Sequence, residues 1–272
     1  MNATSDTSEI VLSSPMQGLV HLVLNRPERL NALTTGLMAH LHAVIDRLGA
    51  DPSIRVVVIS GSGRGFCAGL DLKALPEHLV KPGASVAEWT GIQEQFSGVV
   101  QKLRALDKVV IAAVHGVAVG VGFGLALAAD IRITGRTTSF HVGAVKIGLS
   151  AGECGISYHL PRLIGASRAA ELMLTGRPVD AAEAERIGLT GSVVEDNELV
   201  ANALAMGSKV LQNSPYSTRH TKQLFWSNLE APSLEAALQL ENRTQIMALL
   251  TQDFQEAVAA FSEKRAPVFT GR

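Results

Sequence analysis

Two glycine-rich segments contain the residues of this chain that are best suited to chemistry. Residues 65–71 read Gly-Phe-Cys-Ala-Gly-Leu-Asp, and residues 115–124 contain four glycines. Each segment follows an apolar run typical of a buried strand, at 55–60 and at 109–114. Glycine leaves neighbouring backbone N–H groups accessible, so two such turns side by side can direct two N–H donors at one oxygen atom. The pattern therefore predicts a site that stabilises negative charge on a carbonyl oxygen.

The elements that would position these segments alternate between strands and helices. Apolar runs predict strands at 19–24, 55–60, 109–114, 131–134 and 191–194. Apolar residues at helical spacing predict helices at 34–49, 86–106, 121–129, 167–175 and 181–187, the first capped by Thr34 or Thr35. A repeated strand–helix–strand order implies right-handed crossovers between parallel strands. The fold class is therefore predicted to be α/β.

The pattern changes near residue 199, where strand signals stop. Helical spacing continues at 199–212, 216–228 and 234–264, and the last stretch is expected to divide near 251–253. We therefore expect a flexible N-terminus at 1–8, an α/β core at 9–198 and a helical region at 199–272. Such a helical region forms either a separate layer or a contact between subunits.

Composition excludes several classes of protein. With 47% apolar residues, 18% charged residues and a net charge of −1, the 272-residue chain is globular and has no basic cluster for nucleic acid. Residues 109–129 approach the length of a membrane span, but their four glycines and β-branched start favour a strand followed by a helix. Cys67 and Cys154 have neither metal-ligand nor disulfide spacing. We therefore expect a cytoplasmic protein without a metal site.

Several motifs, in order along nearly the whole chain, give this sequence a specific resemblance to a known family. They are the segments at 25–33, 65–72, 110–118, 129–133, 160–165, 174–177 and 260–267. Taken together, they resemble the crotonase superfamily, also called the enoyl-CoA hydratase/isomerase family. The resemblance implies a spiral of ββα units, a helical trimerisation region at the C-terminus, and a homotrimer or a dimer of trimers. It also implies that the substrate is an acyl-CoA thioester, so CoA enters with the substrate and no separate cofactor is needed.

The resemblance assigns roles to individual residues. Two backbone N–H groups that hold the thioester oxygen match Ala68 and Val121, although valine replaces the usual glycine at 121. The strip that binds adenine and CoA matches two groups of residues, Arg29, Leu30 and Ala32 in one segment and Ala68, Gly69, Leu70 and Asp71 in the other. A C-terminal contact to CoA phosphate, often made across a subunit boundary, matches Phe261 and Lys264.

The two glutamates that usually catalyse hydration in this family are absent. Gly124 stands at the end of the G-G-G-x-E pattern, and Ala144 stands at the glutamate of F-G-x-P-E. Glu153 falls where dienoyl-CoA isomerases and 4-chlorobenzoyl-CoA dehalogenases carry an aspartate. Among small and apolar neighbours its pKa would rise into a useful range, so we expect it to shuttle protons or, alternatively, to act as a nucleophile. The structural alternative is a glutamate that merely favours a helix N-terminus.

The chain also contains secondary candidate residues and the motif of a different enzyme class. Trp89 and His141 are candidates for the acyl pocket, and a core role is the alternative for each. Gly148–Gly152 matches the G-x-S-x-G nucleophile elbow, and Ser150, Asp196 and His220 follow the chain order of a serine hydrolase, although the expected preceding strand is short. A non-catalytic acyl-CoA-binding protein is a further alternative, because both usual glutamates are missing.

Overall fold

A computed structural model describes residues 8–272. The strands in this range are β1 (Ile10–Met16), β2 (Leu19–Leu24), β3 (Val56–Gly61), β4 (Val109–Val114), β5 (Val117–Val119), β6 (Ile131–Gly135), β7 (Ser139–His141), β8 (Val179–Asp180) and β9 (Ser192–Val194). They form a larger sheet in the order β1-β2-β3-β4-β6-β9 and a smaller sheet in the order β5-β7-β8. Pairing is parallel except for β1 with β2 and β7 with β8.

The helices of the same range surround the two sheets and form the whole C-terminal part. They are α1 (Thr35–Ala50), α2 (Val86–Ala105), α3 (Val121–Ala128), α4 (Ile156–Ile164), α5 (Ala166–Thr175), α6 (Ala181–Arg186), α7 (Leu199–Leu211), α8 (Pro215–Asn228), α9 (Leu234–Leu249) and α10 (Gln252–Glu263). Short 3₁₀ turns lie at Pro27–Arg29, Leu72–Ala74, Gly143–Ile147 and Asp196–Glu198.

Each turn of the chain adds one strand to each sheet and then a helix. β4 enters the larger sheet, β5 enters the smaller sheet, and α3 follows; β6, β7 and α4 repeat this order. The preceding turn has β3 in the larger sheet and a single bridge, Cys67 with Ala118, beside the smaller one. This is the predicted spiral of ββα units, and the parallel strands are apolar because both faces of the larger sheet are covered.

Two apolar clusters hold the layers together. The larger cluster fills the space between the two sheets and α1 to α3, where Leu22, Ile59 and Phe123 are almost completely buried. The smaller cluster lies on the other face of the larger sheet, where Leu199 and Ala203 of α7 pack on that sheet's strands. The first helix of the C-terminal region is therefore part of the core packing rather than a detached layer.

Most of the expected elements are confirmed. Thr34 caps α1 by accepting a hydrogen bond from the Leu37 N–H at 3.1 Å, and Thr251 caps α10 where the last helical stretch divides. The 109–129 segment is β4, β5 and α3, and within 8–272 no helix is both long and apolar enough to cross a membrane. The expected flexible N-terminus at 1–8 lies outside the described residues except for Ser8, and the oligomer contact at 199–272 stays a prediction.

Some elements were not predicted. The seven-residue strand β1, the short strands β5, β7 and β8, and the helix α4 are additions, and α4 carries Pro161 in its interior. The segment before Ser150 was expected to be a strand, but residues Gly143–Ile147 form a 3₁₀ turn. That expectation was wrong, because the chain leaves the smaller sheet after β7 and turns directly towards α4.

Candidate active site

A cavity of about 580 Å³ lies between the two glycine-rich segments, α2 and the chain that leads from β7 to α4. Its walls are mainly apolar, with Trp89, Ile92 and Phe96 of α2 on one side. Among the described residues that line it, Gln93 and Glu153 are the ones with an amide or carboxylate side chain. Electrostatic interactions are stronger in such apolar surroundings than in water. The cavity is therefore suited to an apolar ligand with one reacting polar group.

The two glycine-rich segments run parallel and in a fixed register. The Cys67 N–H donates to the Val117 carbonyl at 3.0 Å, and the Val119 N–H donates to the Cys67 carbonyl at 2.9 Å. These bonds make the bridge between Cys67 and Ala118. Leu70 and Val121 lie the same distance along the chain beyond this bridge, and both line the cavity. The register therefore brings corresponding backbone groups of the two segments to the same cavity.

The hydrogen bonds of these segments argue against Ala68 as an oxyanion donor. Its N–H already donates to the Leu30 carbonyl at 2.9 Å. By contrast, neither the Leu70 N–H nor the Val121 N–H donates to a protein acceptor within the described part of the chain. Val121 is the first residue of α3, where N–H groups have no partner inside the helix. Of the two donors expected from the sequence, Val121 has a free N–H and Ala68 does not, so the structure favours Leu70 over Ala68 as the second donor.

Asn31 explains why Leu30 is available to Ala68. Leu30 and Asn31 both adopt left-handed backbone angles, with φ of 50° and 56°. The buried Asn31 side chain donates to the Ser62 carbonyl at 2.9 Å and to the Gly65 carbonyl at 2.8 Å. Asparagine tolerates this conformation better than most residues. The Asn31 amide therefore holds the loop that contains Leu30 and Asn31 against the start of the first glycine-rich segment.

The two positions where glutamates are usual differ in their surroundings. Ala144 is buried and lines the cavity, so a longer side chain there would enter it. Gly124 is different, because a Cβ at 124 would lie 2.6 Å from the Cys154 carbonyl oxygen and 3.1 Å from the Cys154 Cβ. The space of a side chain at 124 is therefore already occupied by the turn that carries Glu153.

Glu153 is the carboxylate of this cavity. Its Oε1 lies 3.1 Å from where a Cβ at Gly120 would be, and Gly120 immediately precedes Val121. The side chain is half-buried and accepts no hydrogen bond from the described protein. Burial raises the pKa of this carboxyl above its usual range. An unpaired carboxylate with a raised pKa, beside an apolar cavity, is a suitable base for removing a proton from carbon.

Trp89 and His141, the two secondary candidates, have different outcomes. Trp89 lines the cavity, and its Nε1–H donates to the Leu79 carbonyl at 3.2 Å, which fixes the indole in the wall. His141 is the last residue of β7, and its Nε2 is 2.8 Å from the Ser139 Oγ. It does not line the cavity, and burial together with Lys146 lowers the pKa of its ring. The structure therefore brings Trp89, but not His141, to the candidate site.

The expected CoA-binding strip is only partly a free surface. Arg29 is exposed on its 3₁₀ turn, and Gly69 and Leu70 line the cavity. Leu30 and Ala32 lie in the adjoining loop, outside the cavity lining. Asp71, however, accepts a hydrogen bond from the Lys73 N–H at 3.2 Å and pairs with Arg26 at 3.3 Å. Its carboxylate is nearly buried, so the structure gives Asp71 a scaffold role rather than contact with a ligand.

The C-terminal candidates lie away from the cavity within this chain. Phe261 is 86% exposed on α10, and Lys264 is the exposed residue that ends α10 in a left-handed conformation. Neither lines the cavity. Their expected contact with CoA therefore requires a neighbouring subunit and stays a prediction.

The serine hydrolase alternative finds no support in the geometry. Ser150 Oγ accepts a hydrogen bond from the Gly152 N–H at 3.1 Å, and Asp196 accepts one from the Thr137 N–H at 3.2 Å. The His220 ring packs against Tyr216. These described contacts place no two of Ser150, Asp196 and His220 in hydrogen-bond contact, and no strand precedes Ser150 within Gly143–Ile147. A nucleophile elbow needs both features.

Several residues that line the cavity were missed from the sequence, among them Gln93 and Cys154. Gln93 lines the cavity one helical turn after Trp89, and Cys154 lines it beside Glu153. The spacing of Trp89, Gln93 and Phe96 places them on one face of a helix, a signal that could have identified Gln93. Cys154 carries no comparable signal, because its position depends on a turn that the sequence does not reveal.

Comparisons with known proteins agree with this fold. A sequence profile described as enoyl-CoA hydratase/isomerase matches residues 15–272. The chain is 43% identical over 272 residues to the "Probable enoyl-CoA hydratase EchA12" of Mycobacterium tuberculosis, covering 98% of this chain and 94% of that protein. It is 35% identical over 264 residues to the 1,2-epoxyphenylacetyl-CoA isomerase of Escherichia coli, covering 97% and 99%.

A solved structure extends the likeness to three dimensions. The crystal structure of an enoyl-CoA hydratase from Bacillus anthracis superposes with a TM-score of 0.91 at 30% identity, covering 97% of this chain and 100% of that one. The profile match spans nearly the whole chain, as do both sequence relatives. The chain therefore belongs to the enoyl-CoA hydratase/isomerase family, the crotonase superfamily.

Proposed function

We propose that this protein moves the carbon–carbon double bond of an enoyl-CoA thioester by a proton transfer through a single carboxylate, Glu153. The observation that carries this proposal is the composition of the cavity. Among its described lining residues, Glu153 is the one carboxylate, and it lies beside two unpaired N–H groups, those of Leu70 and Val121. One base and one oxyanion site are what an allylic proton shift requires.

The reaction balances with these groups alone. The Glu153 carboxylate removes a proton from the α-carbon of a 3-enoyl thioester, and the electron pair moves onto the thioester oxygen to give a dienolate. The N–H groups of Leu70 and Val121 stabilise this charge as it develops. The protonated Glu153 then returns its proton to the γ-carbon, and the electron pair of the dienolate forms the 2,3 double bond. The raised pKa of Glu153 favours both halves of this transfer.

Hydration is less well supported by the same cavity. It needs one group to activate water and a second to protonate carbon. The positions that usually supply these groups carry Gly124 and Ala144, and the space at 124 is filled by Cys154. The relatives named hydratases and the one named an isomerase place both chemistries in the family. We infer isomerisation here because one carboxylate is sufficient for it.

The CoA moiety would extend from the cavity towards Arg29, and Phe261 and Lys264 of a neighbouring subunit would complete its site. Support for an assembly comes from α9, which has no buried residue although Leu234, Ile246 and Met247 are apolar. A helix with apolar residues exposed in this way is usually covered by another surface. We therefore propose a homotrimer or a dimer of trimers, located in the cytoplasm.

The test is turnover of a panel of acyl-CoA thioesters followed by mass spectrometry and ultraviolet absorbance. The panel contains 3-enoyl, 2-enoyl, dienoyl, 3-hydroxyacyl and aryl thioesters. We expect conversion of 3-enoyl to 2-enoyl thioester by the wild type, and a loss of roughly 10²–10⁴ in kcat for Glu153→Gln. Glu94→Gln makes the same chemical change on the exposed face of α2 and should leave kcat unchanged.

Isotope labelling tests the single base directly. A 3-enoyl thioester carrying deuterium on the α-carbon should give product with part of that deuterium on the γ-carbon, because one carboxyl both removes and returns it. Formation of a 3-hydroxyacyl thioester from the 2-enoyl substrate as the main reaction would instead establish hydration. Binding without turnover of any thioester would establish the non-catalytic alternative, and an aryl group trapped on Glu153 would establish dehalogenase-like chemistry. Loss of turnover in Ser150→Ala would support the serine hydrolase alternative.

A further inference from the structure

The turn that carries Glu153 has an unusual backbone. Cys154 and Gly155 both lie in the left-handed region, with φ of 45° and 76°. Glycine adopts this region without strain, but a cysteine there needs surroundings that hold it in place. Cys154 is nearly buried, so those surroundings are protein rather than solvent.

The surface that holds this turn is the side of α3 that carries two glycines. The Cys154 carbonyl oxygen and Cβ lie against Gly124, and the Glu153 Oε1 lies against Gly120. Gly120 is the N-cap of α3, and its carbonyl accepts a hydrogen bond from the Gly124 N–H at 2.9 Å, so the two glycines lie one turn apart on the same side of the helix. Cys154 therefore rests on Gly124, and Glu153 rests on Gly120. This places Glu153 at the end of α3 that carries the Val121 N–H.

The contact at Gly124 leaves no room for a side chain. A Cβ there would meet backbone, the Cys154 carbonyl oxygen at 2.6 Å, which cannot rotate away as a side chain could. On its other side the same Cβ would lie 3.3 Å from Val100 Cγ2 of α2. The helix is fully buried at this point, so α3 cannot retreat without disturbing the core. The turn is the part that would have to move.

We propose that Gly124 and Cys154 are positioning residues for Glu153. Gly124 clears the surface of α3, Cys154 seats the turn on it, and the seated turn directs the Glu153 carboxylate into the cavity. This inference rests on the proposed role of Glu153 as the base. It also gives the glycine at 124 a function. Because Gly124 has no side chain, the turn that carries Glu153 fits against α3.

The test compares Gly124→Ala, Gly124→Ala combined with Cys154→Gly, and the matched control Gly91→Ala. Gly91 is also a glycine within a helix, α2, but a Cβ there would meet no atom within 4 Å. We expect Gly124→Ala to lower kcat about 100-fold with little change in KM, because a base displaced by about 1 Å loses its alignment with the substrate. Cys154→Gly removes the opposing Cβ at 3.1 Å, and the freer glycine backbone can turn the carbonyl oxygen at 154 away from the new methyl group, so the double variant should recover about tenfold of the lost kcat. Gly91→Ala should retain wild-type kcat and KM.

A double-mutant cycle separates positioning from a general structural effect. On a Glu153→Gln background, Gly124→Ala should change the residual rate by less than about twofold, because the base it would displace is already absent. Full additivity in the cycle, or an unchanged kcat in folded Gly124→Ala, would overturn the proposal.

Two further outcomes remain interpretable. If Gly124→Ala does not fold, as judged by its melting curve, the double variant carries the test. We then expect it to fold and turn over within about tenfold of wild type, and a folded double variant without turnover would overturn the proposal. If Glu153→Gln keeps full turnover, the proposed function fails first, whereas loss in Glu153→Gln with no effect of Gly124→Ala rejects the positioning role alone.

Discussion

The assignment of Leu70 and Val121 as the oxyanion donors can be tested by removing single backbone N–H groups. Replacing residue 121 with the corresponding α-hydroxy acid converts its amide to an ester and deletes the N–H while keeping the side chain. The Val121 N–H has no protein acceptor, so its removal should cost little stability. Removal of one oxyanion donor typically lowers kcat by about 10²–10³, which corresponds to about 2.7–4 kcal/mol in the transition state. We expect the same loss for the ester at 70.

The ester at 68 is the matched control. It deletes the bond from the Ala68 N–H to the Leu30 carbonyl at 2.9 Å, so it should cost about 0.5–1.5 kcal/mol of folding free energy. Its kcat should remain within a few-fold of wild type. An ester also weakens its own carbonyl as an acceptor. The carbonyl concerned is that of the preceding residue. For the esters at 121, 70 and 68 it is the carbonyl of Gly120, Gly69 and Cys67, which accepts from the N–H of Gly124 at 2.9 Å, of Leu33 at 2.7 Å and of Val119 at 2.9 Å, respectively. This side effect is therefore similar at all three positions.

The assay is single-turnover conversion of the thioester identified in the panel, together with urea unfolding of each ester protein. The opposite ranking would refute the assignment. If the ester at 68 loses 10²-fold or more in rate while the ester at 70 does not, the free N–H groups of this structure are not the donors that act in the transition state.

Three further predictions concern the titration of Glu153, the stability of Glu153→Gln and the buried charges around Asp130. Because burial raises the pKa of Glu153 and the carboxylate is the active form, kcat/KM should rise with pH through a midpoint above the ordinary glutamate value; a midpoint at or below 4.5 would contradict this. A carboxyl whose folded pKa is raised contributes less stability once the pH exceeds that pKa, so Glu153→Gln should melt higher than wild type at neutral pH, as measured by calorimetry. Asp130 accepts from the Val110 N–H and the Trp226 Nε1–H and pairs with buried Lys222 at 2.9 Å. Asp130→Asn leaves Lys222 without its anion and should lose about 3–5 kcal/mol in urea unfolding. Asp46→Asn breaks an exposed pair with Lys102 and should lose less than about 1 kcal/mol; equal losses would show that burial does not decide the cost.

The sequence was sufficient for the elements with strong periodicity. The apolar stripe of α1, with Leu37, Leu41 and Leu48 all buried, and the apolar runs of β3 and β4 were predicted close to their observed bounds. The smaller sheet was not, because β5 and β7 have three residues each and β8 has two. Such short strands carry too few residues to establish alternation, and their existence depends on pairing with distant segments.

The candidate site shows the same division. The sequence could place two glycine-rich turns after two strands, because strand and turn signals are local. It could not decide which N–H groups remain free, since that depends on a bond between Ala68 and Leu30 from a separate loop. Asn31, which fixes this loop through two carbonyls, is an ordinary asparagine until its partners at Ser62 and Gly65 are known.

The absence of an acid at 124 has a different meaning in the sequence and in the structure. In the sequence, glycine at 124 is a lost catalytic group, which is one reason for the alternative of a non-catalytic acyl-CoA-binding protein. In the structure, the same glycine is the contact on which Cys154 rests, and Glu153 enters the cavity from the adjoining residue. A glutamate at 124 and the observed turn at 153–155 would compete for one volume. Restoring the usual acid by Gly124→Glu would therefore displace the carboxylate that is present, and the two arrangements are alternatives rather than steps of one mechanism.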